Sequence, residues 1–139
     1  MMESKLIHFD VLGDNRGSLI ALEEHKNIPF KIKRVYYIFD TKNNVRRGFH
    51  AHKNLDQVLI AVKGSCTIHI DNNKVTKEVV LNNQSTGLYI GSLVWREMYD
   101  FSDDCVLLVL ASDYYNENDY IRNYEQFKTL AENNEISRE

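Results

Sequence analysis

Between residues 5 and 112 the chain falls into short apolar runs, each closed by a turn. Leu19–Leu22 follows the turn Asp14-Asn15-Arg16-Gly17. Ile32–Phe39 reads as a long strand. Leu55–Val62 and Cys66–Ile70 flank Lys63-Gly64-Ser65, a short hairpin loop. Val75–Leu81 follows Asp71-Asn72-Asn73-Lys74, and Gly87–Ile90, Leu93–Met98 and Val106–Ala111 complete the series. Runs this short, rich in β-branched and aromatic residues, predict roughly eight or nine strands. Their even spacing predicts a sandwich or barrel and leaves no room for βαβ units. After residue 112 the period changes. Tyr120, Tyr124, Phe127 and Ala131 recur at helical spacing, with Ile121 on the same face. They predict one helix over about 118–132, capped by Asn118 or Asp119.

Length and punctuation point to one domain. The chain has 139 residues, one proline and six glycines, and no Pro/Gly/Ser linker divides it. A barrel over about 5–112 and the terminal helix fill it. A net charge of −3 speaks against a nucleic-acid partner. It does not speak against a small-anion site built from a few arginines. No apolar stretch approaches a membrane span, and Met1–Lys5 lacks the apolar region of a secretory signal. The expected compartment is the cytoplasm. Cys66 and Cys105 have no CxxC spacing, so they are expected to be core thiols.

The chemistry concentrates in Arg46-Arg47-Gly48-Phe49-His50-Ala51-His52-Lys53. Histidines at i and i+2 of a strand share one face, so both imidazoles can converge on one cavity. Their chemistry there is metal ligation or acid–base work.

Gly48-x-His50-x-His52, then Gln57 and Gly64, resembles the first motif of the cupin superfamily. In metal-binding cupins Glu stands where this chain has Gln57, and His where it has Arg96. Gln is a poor ligand for a borderline metal, and arginine is a permanent cation that repels one. No metal or other cofactor is expected.

Further segments narrow the resemblance. Arg34–Phe39, Arg47–Lys53, Gly87–Gly91, Val94–Met98 and Leu110–Tyr115 are similar to the dTDP-4-oxo-6-deoxyglucose 3,4-oxoisomerase family. The similarity runs from about Ile7 through Tyr124. It implies a mainly β fold, a cupin (jelly-roll or β-barrel) with a C-terminal α-helix. It also implies a homodimer that works without metal on a dTDP-linked 4-oxo-6-deoxyhexose. The product type feeds 3-amino-3,6-dideoxyhexose biosynthesis for surface polysaccharides. Lys5–Phe9 is a candidate for a strand exchanged between subunits.

His50 is then the expected base, with His52 orienting it or passing protons between oxygens. Tyr37 is expected to donate to an oxygen of the intermediate, since Val35 and Phe39 share its face as barrel-interior residues would. Arg34 and Arg47 are candidate pyrophosphate clamps, and Trp95 is placed near the sugar. Arg16 and Arg96 bear on the outcome at C4. The resemblance implies that one product type pairs Arg with His at these two positions and the other pairs Tyr with Arg. This chain pairs Arg16 with Arg96. Arginine does not titrate usefully, so the expectation leans to the second type, with C4 in the gluco configuration. Three other readings remain: a metal-dependent cupin, a 3,5-epimerase, and a non-catalytic sugar-binding cupin.

Overall fold

The structure is a computed structural model that describes residues 3–42 and 44–138, with side chains as far as Asn134. The strands are β1 (Ser4–His8), β2 (Leu12–Asp14), β3 (Gly17–Leu19), β4 (Arg34–Ile38), β5 (Arg47–His52) and β6 (Gln57–Lys63). They continue with β7 (Cys66–Asp71), β8 (Thr76–Leu81), β9 (Thr86–Ile90), β10 (Trp95–Tyr99), β11 (Val106–Ala111) and β12 (Tyr120–Ile121). A short 3-10 helix covers Glu117–Asp119, and the α-helix α1 (Tyr124–Arg138) follows β12.

Two five-stranded antiparallel sheets face one another, in the orders β1-β9-β6-β11-β4 and β12-β5-β10-β7-β8. This is the jelly-roll barrel of a cupin. Alternation along the strands decides what fills it. Leu59 and Ala61 of β6, Leu107 and Val109 of β11, Ile68 and Ile70 of β7, and Leu88 and Ile90 of β9 form the inner core. Cys66 and Cys105 lie in this core as free thiols, and burial pushes both above the usual thiol value. The intervening residues Val58, Ile60 and Leu110 point outward yet are equally buried. They are covered by Phe9, Ile28 and Phe30, with Ile20, Leu22 and Ile32 packed against them. The first sheet is therefore apolar on both faces, which is why β6 and β11 read as unbroken apolar runs. A one-residue slip would exchange the two faces. The pairing of Leu108 with Ile60 and Val109 with Leu59 is held by both cores at once.

The expected strands are present, with short additions, except the Leu19–Leu22 run: only Leu19 is strand, at the end of β3, while Ile20 and Leu22 pack against the outer core of the first sheet. The turn at Asp14–Gly17 joins β2 to β3, and Lys5–Phe9 forms most of β1, which pairs with β9 of its own chain. The C-terminal expectation needs correction. The helix begins at Tyr124, capped by Asn123, whose side chain accepts from the Gln126 amide at 2.9 Å. Neither Asn118 nor Asp119 caps it. Tyr120 and Ile121 are strand, paired with His52 and Ala51 of β5. The open edge of β5 offers backbone partners there, and these outcompete helical spacing. No helix among the described residues is long and apolar enough to cross a membrane.

A third core, Ala51, Trp95, Ile121 and Phe127, pins α1 on the outer face of the second sheet. Phe127 is fully buried there, and its ring lies 5.8 Å from that of Trp95. Phe127→Ala is expected to lower unfolding stability by about 3 kcal/mol in denaturant titration.

Candidate active site

The two histidines are aimed by a local kink. Gly48 has φ of +93°, and a Cβ at this position would stand 2.9 Å from the Arg96 carbonyl oxygen. Opposite it, the β5–β10 register shifts between Arg96 and Glu97. A close backbone approach of this kind admits only glycine. Beyond the bulge, Ala51 enters the core under the helix and Phe49 is exposed. His50 and His52 turn the other way, their rings 4.9 Å apart and edge to face.

His52 is 1% exposed. Its Nδ1 lies 3.0 Å from Asp119 Oδ2, while Asp119 Oδ1 accepts from the Asn54 amide at 2.7 Å. The carboxylate favours the tautomer with its proton on Nδ1. Nε2 is buried and meets no partner among the described residues. Tyr120 packs on both imidazoles, with ring centroids 5.0 Å from His50 and 4.4 Å from His52.

A buried cation stands behind the pair. Arg96 is 1% exposed. Its Nη1 donates to Gln57 Oε1 at 2.6 Å, and its Nη2 donates to the Val94 carbonyl at 3.1 Å. Gln57 Nε2 in turn donates to the Tyr36 hydroxyl at 3.1 Å. Burial lowers Arg96 to about 10, so it stays charged at neutral pH. Burial, and then the Arg96 charge, lower His50 to about 3 and His52 to about 2. Both imidazoles are neutral and able to accept a proton. The two positions at which metal cupins carry further ligands hold an amide and a guanidinium bonded to each other. A divalent cation would face a fixed positive charge, so this set does not fit one. No group of three candidate ligands occurs among the described residues.

His50 opens onto a cavity of about 520 Å3. Arg34, Tyr36, Arg47, Tyr115, Tyr120 and Arg122 share its wall. Arg34 lies 5.3 Å over the Tyr36 ring, and its Nε is buried without a partner among the described residues. Arg122 lies 4.3 Å over the Tyr120 ring and donates to both Glu117 oxygens at 2.8 and 2.9 Å. Three guanidinium groups around one mouth suit a diphosphate. The cavity's size suits a small organic ligand carrying one.

Several expected site residues lie elsewhere. Tyr37 borders the mouth but is 60% exposed, because β4 turns Arg34, Tyr36 and Ile38 inward and Val35, Tyr37 and Phe39 outward. Tyr36 takes the interior place expected of Tyr37. Trp95 is not near the cavity. It alternates with Arg96 along β10, so it faces outward beneath α1 and donates to Glu97 Oε2 at 2.8 Å. Arg16 sits on the β2–β3 hairpin, paired with Asp14, its side chain 87% exposed. It does not line the cavity. Arg34, Arg47 and His50 reach the wall as expected, with His52 and Arg96 behind it. Asp119, Tyr115, Tyr120 and Arg122 were not expected there.

A jelly-roll cupin with neutral paired histidines beside an arginine-ringed cavity has the groups to hold an anionic ligand and to accept a proton from it. Comparison with known proteins narrows that class. The family model described as FdtA: WxcM-like, C-terminal matches residues 2–132. A TDP-4-oxo-6-deoxy-alpha-D-glucose-3,4-oxoisomerase from Aneurinibacillus thermoaerophilus is 59% identical over 127 residues, 91% of either chain. Among solved structures, a His→Asn variant of a 3,4-ketoisomerase from Thermoanaerobacterium thermosaccharolyticum, in complex with TDP-4-keto-6-deoxyglucose, superposes with a TM-score of 0.92. It is 48% identical and 96% of each chain is covered. A TDP-quinovose 3,4-ketoisomerase from Campylobacter jejuni gives 0.89 at 53% identity, covering 93% of this chain and 99% of its own. The chain belongs to the sugar 3,4-ketoisomerase family of the cupin superfamily.

The buried imidazoles set a pH dependence. The unfolded chain protonates its histidines below about pH 6.5, whereas the folded protein resists protonating His50 down to about 3. Acidification therefore favours the unfolded state. The stability held by these neutral groups is complete above about pH 6.5 and is lost as pH falls toward the folded values. Melting temperatures are expected to drop between about pH 6.5 and 5, with a shallower slope in His52→Gln. An equal slope in that variant would contradict the neutral burial of His52.

Proposed function

We propose that the chain moves the carbonyl of dTDP-4-oxo-6-deoxy-D-glucose from C4 to C3, supplying a dTDP-3-oxo-6-deoxyhexose for 3-amino-3,6-dideoxyhexose biosynthesis. The observation that carries this reading is His50, a neutral imidazole on the wall of a cavity ringed by Arg34, Arg47 and Arg122. The arginines take the diphosphate, which leaves the sugar toward the histidine.

His50 removes the proton on C3, made acidic by the adjacent ketone. The C–H electron pair becomes the C3–C4 double bond, and the carbonyl electrons move onto O4. Tyr36, on the same wall, gives O4 its proton and takes the proton of the C3 hydroxyl. The gluco configuration needs its C4 proton on the face opposite the one from which H3 leaves, so water delivers it there while His50 gives its proton to solvent and the C3 carbonyl forms. One proton leaves and one enters, and no oxidant or reductant takes part. His50 is neutral at rest, so its ring nitrogen is free to take the proton in the first step. His52, tied to Asp119, backs His50 and fixes its ring.

The gluco product is the one we assign. Arg96 keeps its proton at neutral pH and so does not serve as the acid at C4, and the Campylobacter jejuni relative of 53% identity is named for quinovose, the 6-deoxy sugar of that configuration. A homodimer is also proposed. Its support is the apolar outer surface bearing Val11, Leu12, Leu19, Val35, Tyr37 and Phe39, each about half exposed. Sedimentation as a monomer at micromolar concentration would overturn it.

The direct test is incubation with dTDP-4-oxo-6-deoxyglucose in EDTA, followed by NMR. The expected product has its carbonyl at C3 and a large trans-diaxial coupling between H4 and H5. A small coupling would assign the galacto product instead. A retained C4 carbonyl with inverted C5 would establish the epimerase reading, which the His52–Asp119 pair favours. His50→Asn is expected to lower turnover by about 1,000-fold while dTDP still binds.

A further inference from the structure

The polar chain through the barrel interior fixes the direction of one proton. Arginine can only donate, so the Gln57 atom 2.6 Å from Arg96 Nη1 is the carbonyl oxygen. That settles the amide's orientation and leaves its nitrogen 3.1 Å from the Tyr36 hydroxyl. An amide nitrogen donates and does not accept. The Tyr36 oxygen is therefore an acceptor at this contact, and its single proton points elsewhere. Among the described residues the hydroxyl donates to no protein acceptor, yet Tyr36 stands on the cavity wall beside His50.

We propose that Gln57 is a positioning residue: anchored by Arg96, its amide turns the Tyr36 hydroxyl proton into the cavity, toward the sugar oxygen that gains charge during the reaction. The inference deepens the isomerase reading and rests on it. Gln57 touches no substrate and acts through Tyr36. Its own place is held by burial and by Arg96, which is in turn held by the Val94 carbonyl. The Arg96 charge and the Gln57 contact also draw the phenol down against the rise that burial imposes.

The identity of residue 57 decides the direction. A glutamate there would keep the bond to Arg96 with an added charge. Its second oxygen, however, would accept from Tyr36 and pull the proton out of the cavity. Gln57→Glu thus preserves the packing and reverses the one hydrogen bond at issue.

Steady-state kinetics on Gln57→Glu, Tyr36→Phe and the double variant test this. Gln57→Glu is expected to lower kcat by roughly 10- to 100-fold, with KM within about twofold of the wild type. The double variant is expected to match Tyr36→Phe alone, because Gln57 has nothing left to orient. Wild-type kcat in Gln57→Glu, or a double variant that loses the product of the single effects, would overturn the proposal. If Gln57→Glu does not fold, Gln57→Met replaces it, with a smaller loss of kcat and the same absence of further loss on Tyr36→Phe. A wild-type protein that isomerises nothing would overturn the functional reading itself, whereas turnover unaffected at residue 57 overturns this inference alone.

Discussion

A single buried guanidinium organises the interior of this barrel. A charge cut off from water costs several kcal/mol unless its hydrogen bonds are satisfied. Arg96 meets that requirement with the Val94 carbonyl and the Gln57 amide oxygen. Its position beside the histidines then bears on their state. An imidazole a short distance from a fixed cation in a poorly hydrated space does not readily accept a second positive charge at rest. Burial is what chiefly keeps His50 and His52 neutral, the Arg96 charge adds to it, and that same charge makes the site unsuited to a divalent metal. In a metal cupin the positive charge at the barrel's centre is an exchangeable ion. Here it is part of the chain.

The remainder of the fold keeps that arrangement dry and in register. Both faces of the first sheet are buried, one against the second sheet and one under the segment that carries Ile20–Ile32. Slippage of β6 would move Gln57 away from Arg96 and expose one of the two cores. On the other side, β12 and the turn before it are stitched to the end of β5. Tyr120 pairs with His52, the Lys53 amide donates to the Asp119 carbonyl at 2.9 Å, and Asp119 also holds His52 Nδ1. The same short segment brings Tyr115, Glu117 and Arg122 to the cavity mouth. Backbone pairing thus delivers one wall of the site, and α1 secures that wall from outside through Phe127 and Ile121.

The strands and the His50–His52 pair were legible because both follow from the two-residue period of a strand. The same period held a signal that was misread on β4. Arg34 and Tyr37 were both placed in the site, yet residues three apart on a strand face opposite ways. Accepting Arg34 inside requires Tyr36 inside, and the apolar Val35, Tyr37 and Phe39 then form an outer surface. Trp95 follows the same logic, since Arg96 inside puts its neighbour outside. The C-terminal segment was harder to read. Tyr120, Tyr124, Phe127 and Ala131 do match a helix by spacing, but Tyr120 lies beside an unpaired strand edge that no local pattern announces. Asp119 could not be paired with His52 from sequence, because 67 residues separate them and an acid before a helix reads as a cap.

Charge shows a similar division between what is summed and what is placed. The chain is slightly acidic overall, yet Arg34, Arg47 and Arg122 gather at one mouth with Arg96 deeper inside. Of the outer three, Arg34 has an Nε already desolvated without a hydrogen-bond partner among the described residues, while Arg122 is held by Glu117 at the mouth. The inner one is buried, and each of its three nitrogens already donates to a protein acceptor. Binding and chemistry are thereby carried by different arginines. The outer set attracts the anionic end of the ligand, and the inner one helps keep the histidines unprotonated and, through Gln57, governs the phenol. With Arg96 replaced by a titrating group, burial would still disfavour the charged imidazoles, but the added penalty from the neighbouring cation would itself change with pH.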